Sequence, residues 1–219
     1  MQVRDWLSLL GMPLMLLSVQ VIAVVLVLPM QAAGLAAFED PESVANPLIF
    51  IGMLLVFTLI LLLLIRFGGR RFIALFIGFA IFMTFLYIFS ALSLLVLGAT
   101  DAAAVGAIIA AAAATALLYL YPEWYVIDIL GVLISAGVAS IFGVSLAILP
   151  VLVLLVLLAI YDAISVYRTK HMITLAEGVL ETKAPIMVVV PKRADYSFRR
   201  EGLNISDGEE RGAFVMGMG

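Results

Sequence analysis

The sequence predicts an all-α membrane protein: a bundle of six transmembrane helices, a long cytoplasmic loop and the opening of a seventh helix. Three observations predict it. Of 219 residues, 65% are hydrophobic and only 12% charged, with a mean hydropathy of +1.25, whereas a soluble domain carries about a quarter charged residues. Apolar runs long enough to cross a bilayer recur through residues 1–167. Lys and Arg fall only in alternate connections between those runs, the pattern that short cytoplasmic loops impose.

A hydrocarbon layer about 30 Å thick requires about 20 helical residues rising 1.5 Å each. Six apolar stretches meet that length: Trp6 to Leu28, Asn46 to Ile65, Phe72 to Leu97, Ala102 to Leu120, Trp124 to Phe142, and Ser145 to Tyr167. No charge interrupts the chain from Ile129 to Tyr161, a run of about 33 residues that is too long for a single tilted span. We divide it near Gly143, with Pro150 opening the sixth helix. The first stretch follows Arg4 and precedes Ala32, Ala33 and Gly34, as a signal peptide would. Its apolar core of about 22 residues exceeds the usual 7 to 15, so it is assigned as a span.

With the amino terminus and Arg4 in the cytoplasm, Glu39, Asp40, Glu42 and Asp101 fall outside while Arg66, Arg70 and Arg71 fall inside. Four further spans return the chain to the cytoplasm at Arg168, and all later Lys and Arg lie on that side. A count of five spans would break this segregation.

Residues 168–212 form the loop. Met172, Ile173, Ala176, Val179 and Leu180 recur at helical spacing, as in a short amphipathic helix on the membrane surface. Ile186, Met187, Val188, Val189 and Val190 form an apolar, β-branched run between Pro185 and Pro191, the pattern of a short strand. Apolar character resumes in residues 213–219, which are expected to open a seventh helix.

Composition also narrows function. The formal net charge of -3 and the scattered Lys and Arg argue against nucleic acid as a partner. With no cysteine and a single histidine, His171, thiolate nucleophiles, Cys-ligated metals and multi-His zinc signatures are unavailable, and no cofactor is expected. Two carboxylates lie within spans, Asp128 and Asp162. Each costs about 2.5–3.5 kcal/mol on insertion scales, which marks it as a functional candidate. Asp162 precedes Arg168 by six residues, roughly 9 Å of helix. Held away from bulk water it could exchange protons; the plainer alternative is snorkelling or pairing with Arg168. Asp128 shares a face with Gly131, Ser135, Ala139 and Gly143, a small-residue row that admits a neighbouring helix, and Ala110 to Ala114 is a plausible partner. A structural role is expected there. Trp124 and the tyrosines near helix ends are expected interface anchors.

The Tyr161-Asp162 pair late in the sixth span, the long loop, and Gly217-Met218-Gly219 together resemble the presenilin and signal-peptide-peptidase family of GxGD intramembrane aspartyl proteases, and archaeal presenilin homologues above all. The resemblance implies that Asp162 is one catalytic aspartate, supported by Tyr161, Gly217 and Gly219, with a second aspartate directly after a Gly-x-Gly in helix seven and a Pro-Ala-Leu in helix nine. Neither of these last two is in the sequence, so the chain is expected to be the amino-terminal two thirds of such a protein and inactive alone. Implied partners are transmembrane protein substrates, the lipid bilayer, and helices seven to nine in cis or as a second chain, with a homo-oligomer left open. The strand from Ile186 to Val190 is a candidate to pair with an unwound substrate. A proton- or cation-coupled transporter or channel using Asp162 and Asp128, or a non-catalytic scaffold, is the alternative class. No internal hydropathy repeat or pair of interrupted helices favours a transporter.

Overall fold

The structure is a computed structural model and describes residues 3–68, 70–168, 187–191, 197 and 213–217. Six α-helices follow one another: α1 (Val3–Ala32), α2 (Ala45–Phe67), α3 (Arg70–Leu97), α4 (Asp101–Leu120), α5 (Trp124–Ser145) and α6 (Ile148–Ala163). All six are long and apolar enough to cross a membrane, α6 together with the π-helical turn Ile164–Arg168 that continues it. The π turn matters for length. Sixteen residues of α6 rise about 24 Å, short of a bilayer core, and the extra turn to Arg168 completes the crossing.

The helix ends follow local chemistry. Thr100 caps α4, its hydroxyl accepting from the Ala103 N–H at 3.2 Å. Gly98 closes α3 at φ +68°, and its N–H donates to the Leu94 carbonyl. Pro47 and Pro150 sit in the first turns of α2 and α6, where a missing N–H leaves no helical bond unmade. The break between the fifth and sixth spans falls at Leu146 and Ala147, slightly beyond the Gly143 expected from sequence. Ser145 and Pro150 explain the shift: a buried serine ends one helix, and the proline is accommodated in the next helix's opening turn.

The chain divides into two compact units. The first holds α1, the later part of α3, α4, most of α5 and a two-stranded ribbon. Its core includes Ala23 and Leu26 of α1 against Ala136 of α5, flanked by Val19, Ile22 and Leu92. On α3, Ile81, Phe85, Ile88 and Ala91 form a buried stripe at three- and four-residue spacing. Gly137 of α5 lies so close to Ile88 that a Cβ there would overlap its side chain. This is where small residues permit close approach. The row expected from sequence is buried only at Asp128 and Gly131; Ser135 is half-buried, and Ala139 and Gly143 are exposed. Further along α5 the buried positions are Ala136, Gly137 and Ser140, which at 100° per residue lie on a different side of the helix from Gly131, so the packed side changes along α5. On α4, Ala103, Ala107, Ala111, Ala114 and Leu118 form the buried face.

The ribbon pairs β1 (Met187–Pro191) antiparallel with β2 (Ala213–Gly217), Val189 opposite Val215, and β1 lies against α1. Of the run expected as a strand from Ile186 to Val190, Met187 to Val190 lie in β1, which extends to Pro191; Ile186 is outside the described residues. Residues 213–217 differ from expectation, being extended and not helical. Glycines at 212 and 217 disfavour a helix, and β1 supplies the backbone partners that an extended segment needs. Met218, Gly219 and the expected amphipathic helix from Met172 to Leu180 lie outside the described residues.

The second unit holds the segment after α1, α2, the start of α3, the end of α5, α6 and the π turn. Here α2 and α6 pack side by side. Ala147 at the start of α6 donates its N–H to the Pro41 carbonyl at 2.9 Å, and Ser145 Oγ accepts from the Ala37 N–H at 2.7 Å. Near the other ends, the Thr58 and Tyr161 hydroxyls are 3.1 Å apart. Contacts at both levels make α2 and α6 parallel.

Candidate active site around Asp162

Asp162 is the penultimate residue of α6. Its helix is otherwise Leu-, Ile- and Val-rich, so the carboxyl is the polar feature of its late turns. Residue by residue a helix turns 100°, which separates the directions of Tyr161 and Asp162. Tyr161 is half-buried and its hydroxyl hydrogen-bonds Thr58 on α2, whereas Asp162 is exposed. Its placement on an open flank departs from the burial expected on sequence grounds. The adjacent tyrosine takes the α2-facing direction and turns the carboxyl elsewhere. Asp162 forms no ion pair with Arg168 among the described residues.

Immediately beyond, the helix widens. The Ile164 N–H is shared by the Ile160 and Tyr161 carbonyls, and the π turn Ile164–Arg168 follows. Ser165 is fully buried and its hydroxyl donates to the Asp162 carbonyl at 3.0 Å. A serine reaching back within the last turn satisfies a carbonyl that the change of helical pitch would otherwise leave poorly bonded. Backbone and side chains around the aspartate are therefore held on both sides of it.

Depth supports the same construction. Thr58 lies eight residues before Arg66 and Tyr161 seven before Arg168, about 12 and 10 Å along parallel helices. Arg66 and Arg168 consequently lie toward the same face of the membrane, as an even number of spans from Arg71 to Arg168 requires.

The chain matches, over residues 12–219, the family described as signal-peptide peptidase, presenilin aspartyl protease. It belongs to that family. Two solved structures, each of a presenilin family intramembrane aspartate protease, are similar to it. The one in space group P2 has 82% sequence identity and a TM-score of 0.67, the match covering 80% of this chain and 70% of that one. The other, in space group C222, has 78% identity and a TM-score of 0.65, covering 81% and 71%. No curated protein matches the chain. Membership makes this an integral, multi-pass membrane protein of the intramembrane aspartic endopeptidase class, and separates it from the transporter and scaffold alternatives.

The other membrane carboxylate is placed differently. Asp128 lies one turn into α5, 4% exposed, beside the buried Val126 and Ile127 and near Gly131 on the packed face. Tyr121, Trp124 and Tyr125 cluster at the α4–α5 connection, with ring centroids 5.7 Å apart for the Trp124–Tyr125 pair. Glu123 there accepts a hydrogen bond from Ser197 at 2.9 Å, tethering the loop region to that connection. Gly217 ends β2, while Gly219 is outside the described residues. Sequence reasoning missed Thr58. It is the one hydroxyl or charged side chain in the run from Ile51 to Ile65, and that isolation was the available signal.

Proposed function

We propose that Asp162 is one of the two catalytic carboxyls of this intramembrane aspartic endopeptidase, acting on transmembrane protein substrates. The observation that carries the reading is its exposure on an open flank of α6, beside an anchored Tyr161 and ahead of the π turn. A carboxyl so placed in a membrane helix needs water or a polar neighbour. A second carboxyl, from helices seven to nine in cis or as a second chain, meets that need. The two then share a proton, since like charges so close do not both ionise. One carboxylate takes a proton from water as the water oxygen attacks the substrate carbonyl, and the other gives its proton to the carbonyl oxygen. The resulting gem-diol collapses as the C–N bond breaks and the leaving amine takes a proton. Strand β1 suits the unpaired backbone of an unwound substrate, since a two-stranded ribbon has an outer edge on each strand.

Asp162→Asn in the full-length protease, reconstituted with a model transmembrane substrate, is expected to reduce cleavage by about 10²- to 10⁴-fold, the contribution of a general acid or base. Normal cleavage by a folded Asn variant would remove Asp162 from the site. The Lys and Arg of the amino terminus and loop support a cytoplasmic location for both. Because the chain has no cysteine, Asp40→Cys and Asp195→Cys should label from opposite sides of the membrane. Labelling of both from one side refutes that topology.

A further inference from the structure

Thr58 lies in a run of Leu, Ile, Val, Met and Phe on α2, where an isolated hydroxyl contributes nothing to membrane insertion. Its oxygen is 3.1 Å from the Tyr161 hydroxyl, across the α2–α6 packing. Tyr161 and Asp162 are consecutive, so any rotation of α6 that moves the phenol also swings the carboxyl. The apolar surroundings resist such rotation only through the fit of their side chains, with no directional bond among them. A hydrogen bond is directional. Close to this bond the helix also changes pitch, at the Ile164 N–H shared between two carbonyls and the π turn beyond. A pitch change is a place where rotation is readily absorbed.

We propose that Thr58 is a positioning residue for the reaction: its hydroxyl holds Tyr161 and thereby fixes the rotational setting of the Asp162 carboxyl. The inference rests on the reading of Asp162 given above. Thr58 does not touch substrate. It acts through Tyr161, so its loss should lower the rate of the chemical step and leave substrate binding intact.

The test uses the full-length protease in liposomes with a transmembrane substrate, reading kcat and KM separately. Thr58→Val keeps the shape and removes the hydroxyl; kcat should fall roughly three- to fifteen-fold, the rate equivalent of one interhelical hydrogen bond in a membrane bundle, with KM unchanged. Thr58→Ser keeps the hydroxyl and should restore kcat. Tyr161→Phe should lower kcat, and adding Thr58→Val to it should cause no further fall. An equal loss in the Val and Ser variants, a rise in KM with kcat unchanged, or full additivity with Tyr161→Phe overturns the proposal. Should Thr58→Val fail to fold, the restored or unrestored kcat of Thr58→Ser, measured with and without Tyr161→Phe, decides the matter by the same criteria. Asp162→Asn separates the two readings. If it abolishes cleavage while Thr58→Val leaves kcat intact, only the role of Thr58 fails; if Asp162→Asn cleaves normally, the site itself has been misplaced.

Discussion

Asp128 and Asp162 stand in consecutive membrane helices, yet one is closed in and the other is open. On α5 the carboxyl is buried on the side that also carries the buried Gly131, while Gly137, nine residues on and half a turn round the helix, is where Ile88 approaches closely. On α6 the adjacent Tyr161 takes the packed direction, and the aspartate is left outward. A carboxyl's role in a membrane thus follows from the face it occupies more than from its presence. The packed Asp128 is expected to hold structure, and the open flank of Asp162 leaves room for a substrate, water or a second acid.

The largest expected effect breaks or upholds that contrast directly. Asp162→Asn should abolish cleavage with the fold retained, since an amide keeps hydrogen bonding but cannot exchange the proton. Asp128→Asn should do the reverse, reducing the yield or thermal stability of the protein while each folded molecule cleaves within about twofold of normal. Measured side by side as turnover per folded molecule, equal losses in the two variants would erase the distinction.

How much of this was legible beforehand differs between the two helices for physical reasons. Hydropathy and charge segregation located all six spans, because insertion into a bilayer leaves little freedom in length or composition. Asp162 stood out because a carboxylate is costly there. Which face Asp128, Ser135, Ala139 and Gly143 would occupy was not legible, since small residues permit packing on any side and only the partner selects one. Nor was the strand Ala213–Gly217, whose extended form depends on a β1 about 25 residues away in sequence and on pairing that no local propensity announces. Thr58 was visible as an isolated hydroxyl, but its meaning required Tyr161 to be brought opposite it.

A smaller effect sharpens the account of packing along α5. A Cβ at Gly137 would overlap Ile88, whereas one at Gly143 on the same helix meets nothing within 4 Å. Alanine gains up to about 1 kcal/mol over glycine in a helix interior, while overpacking costs about 1–3 kcal/mol. Gly143→Ala should therefore stabilise slightly and Gly137→Ala destabilise by about 1 kcal/mol net. Thermal unfolding in detergent reads both, and Ile88→Ala should relieve the Gly137→Ala loss. The same sign for both glycines would show that the packed face has been drawn in the wrong place.

The smallest effect concerns how the second unit anchors the start of α6. Ser145 is fully buried, donates to the Ile141 carbonyl and accepts from the Ala37 N–H at 2.7 Å. Ser145→Ala removes the acceptor of that N–H, and because Ala37 is exposed and water can replace the hydroxyl, the loss is about 0.5–1.5 kcal/mol. The neighbouring bond from the Ala147 N–H to the Pro41 carbonyl is independent of the serine and keeps the segment attached, so the change should fall near the lower end. Because the anchor lies at the opposite end of α6 from Asp162, stability should drop without a matching change in kcat. Hydrogen exchange at Ala37 should quicken at the same time. A large fall in kcat with unaltered exchange would mean that the start of α6, and not its open end beside Thr58, governs the setting of the carboxyl.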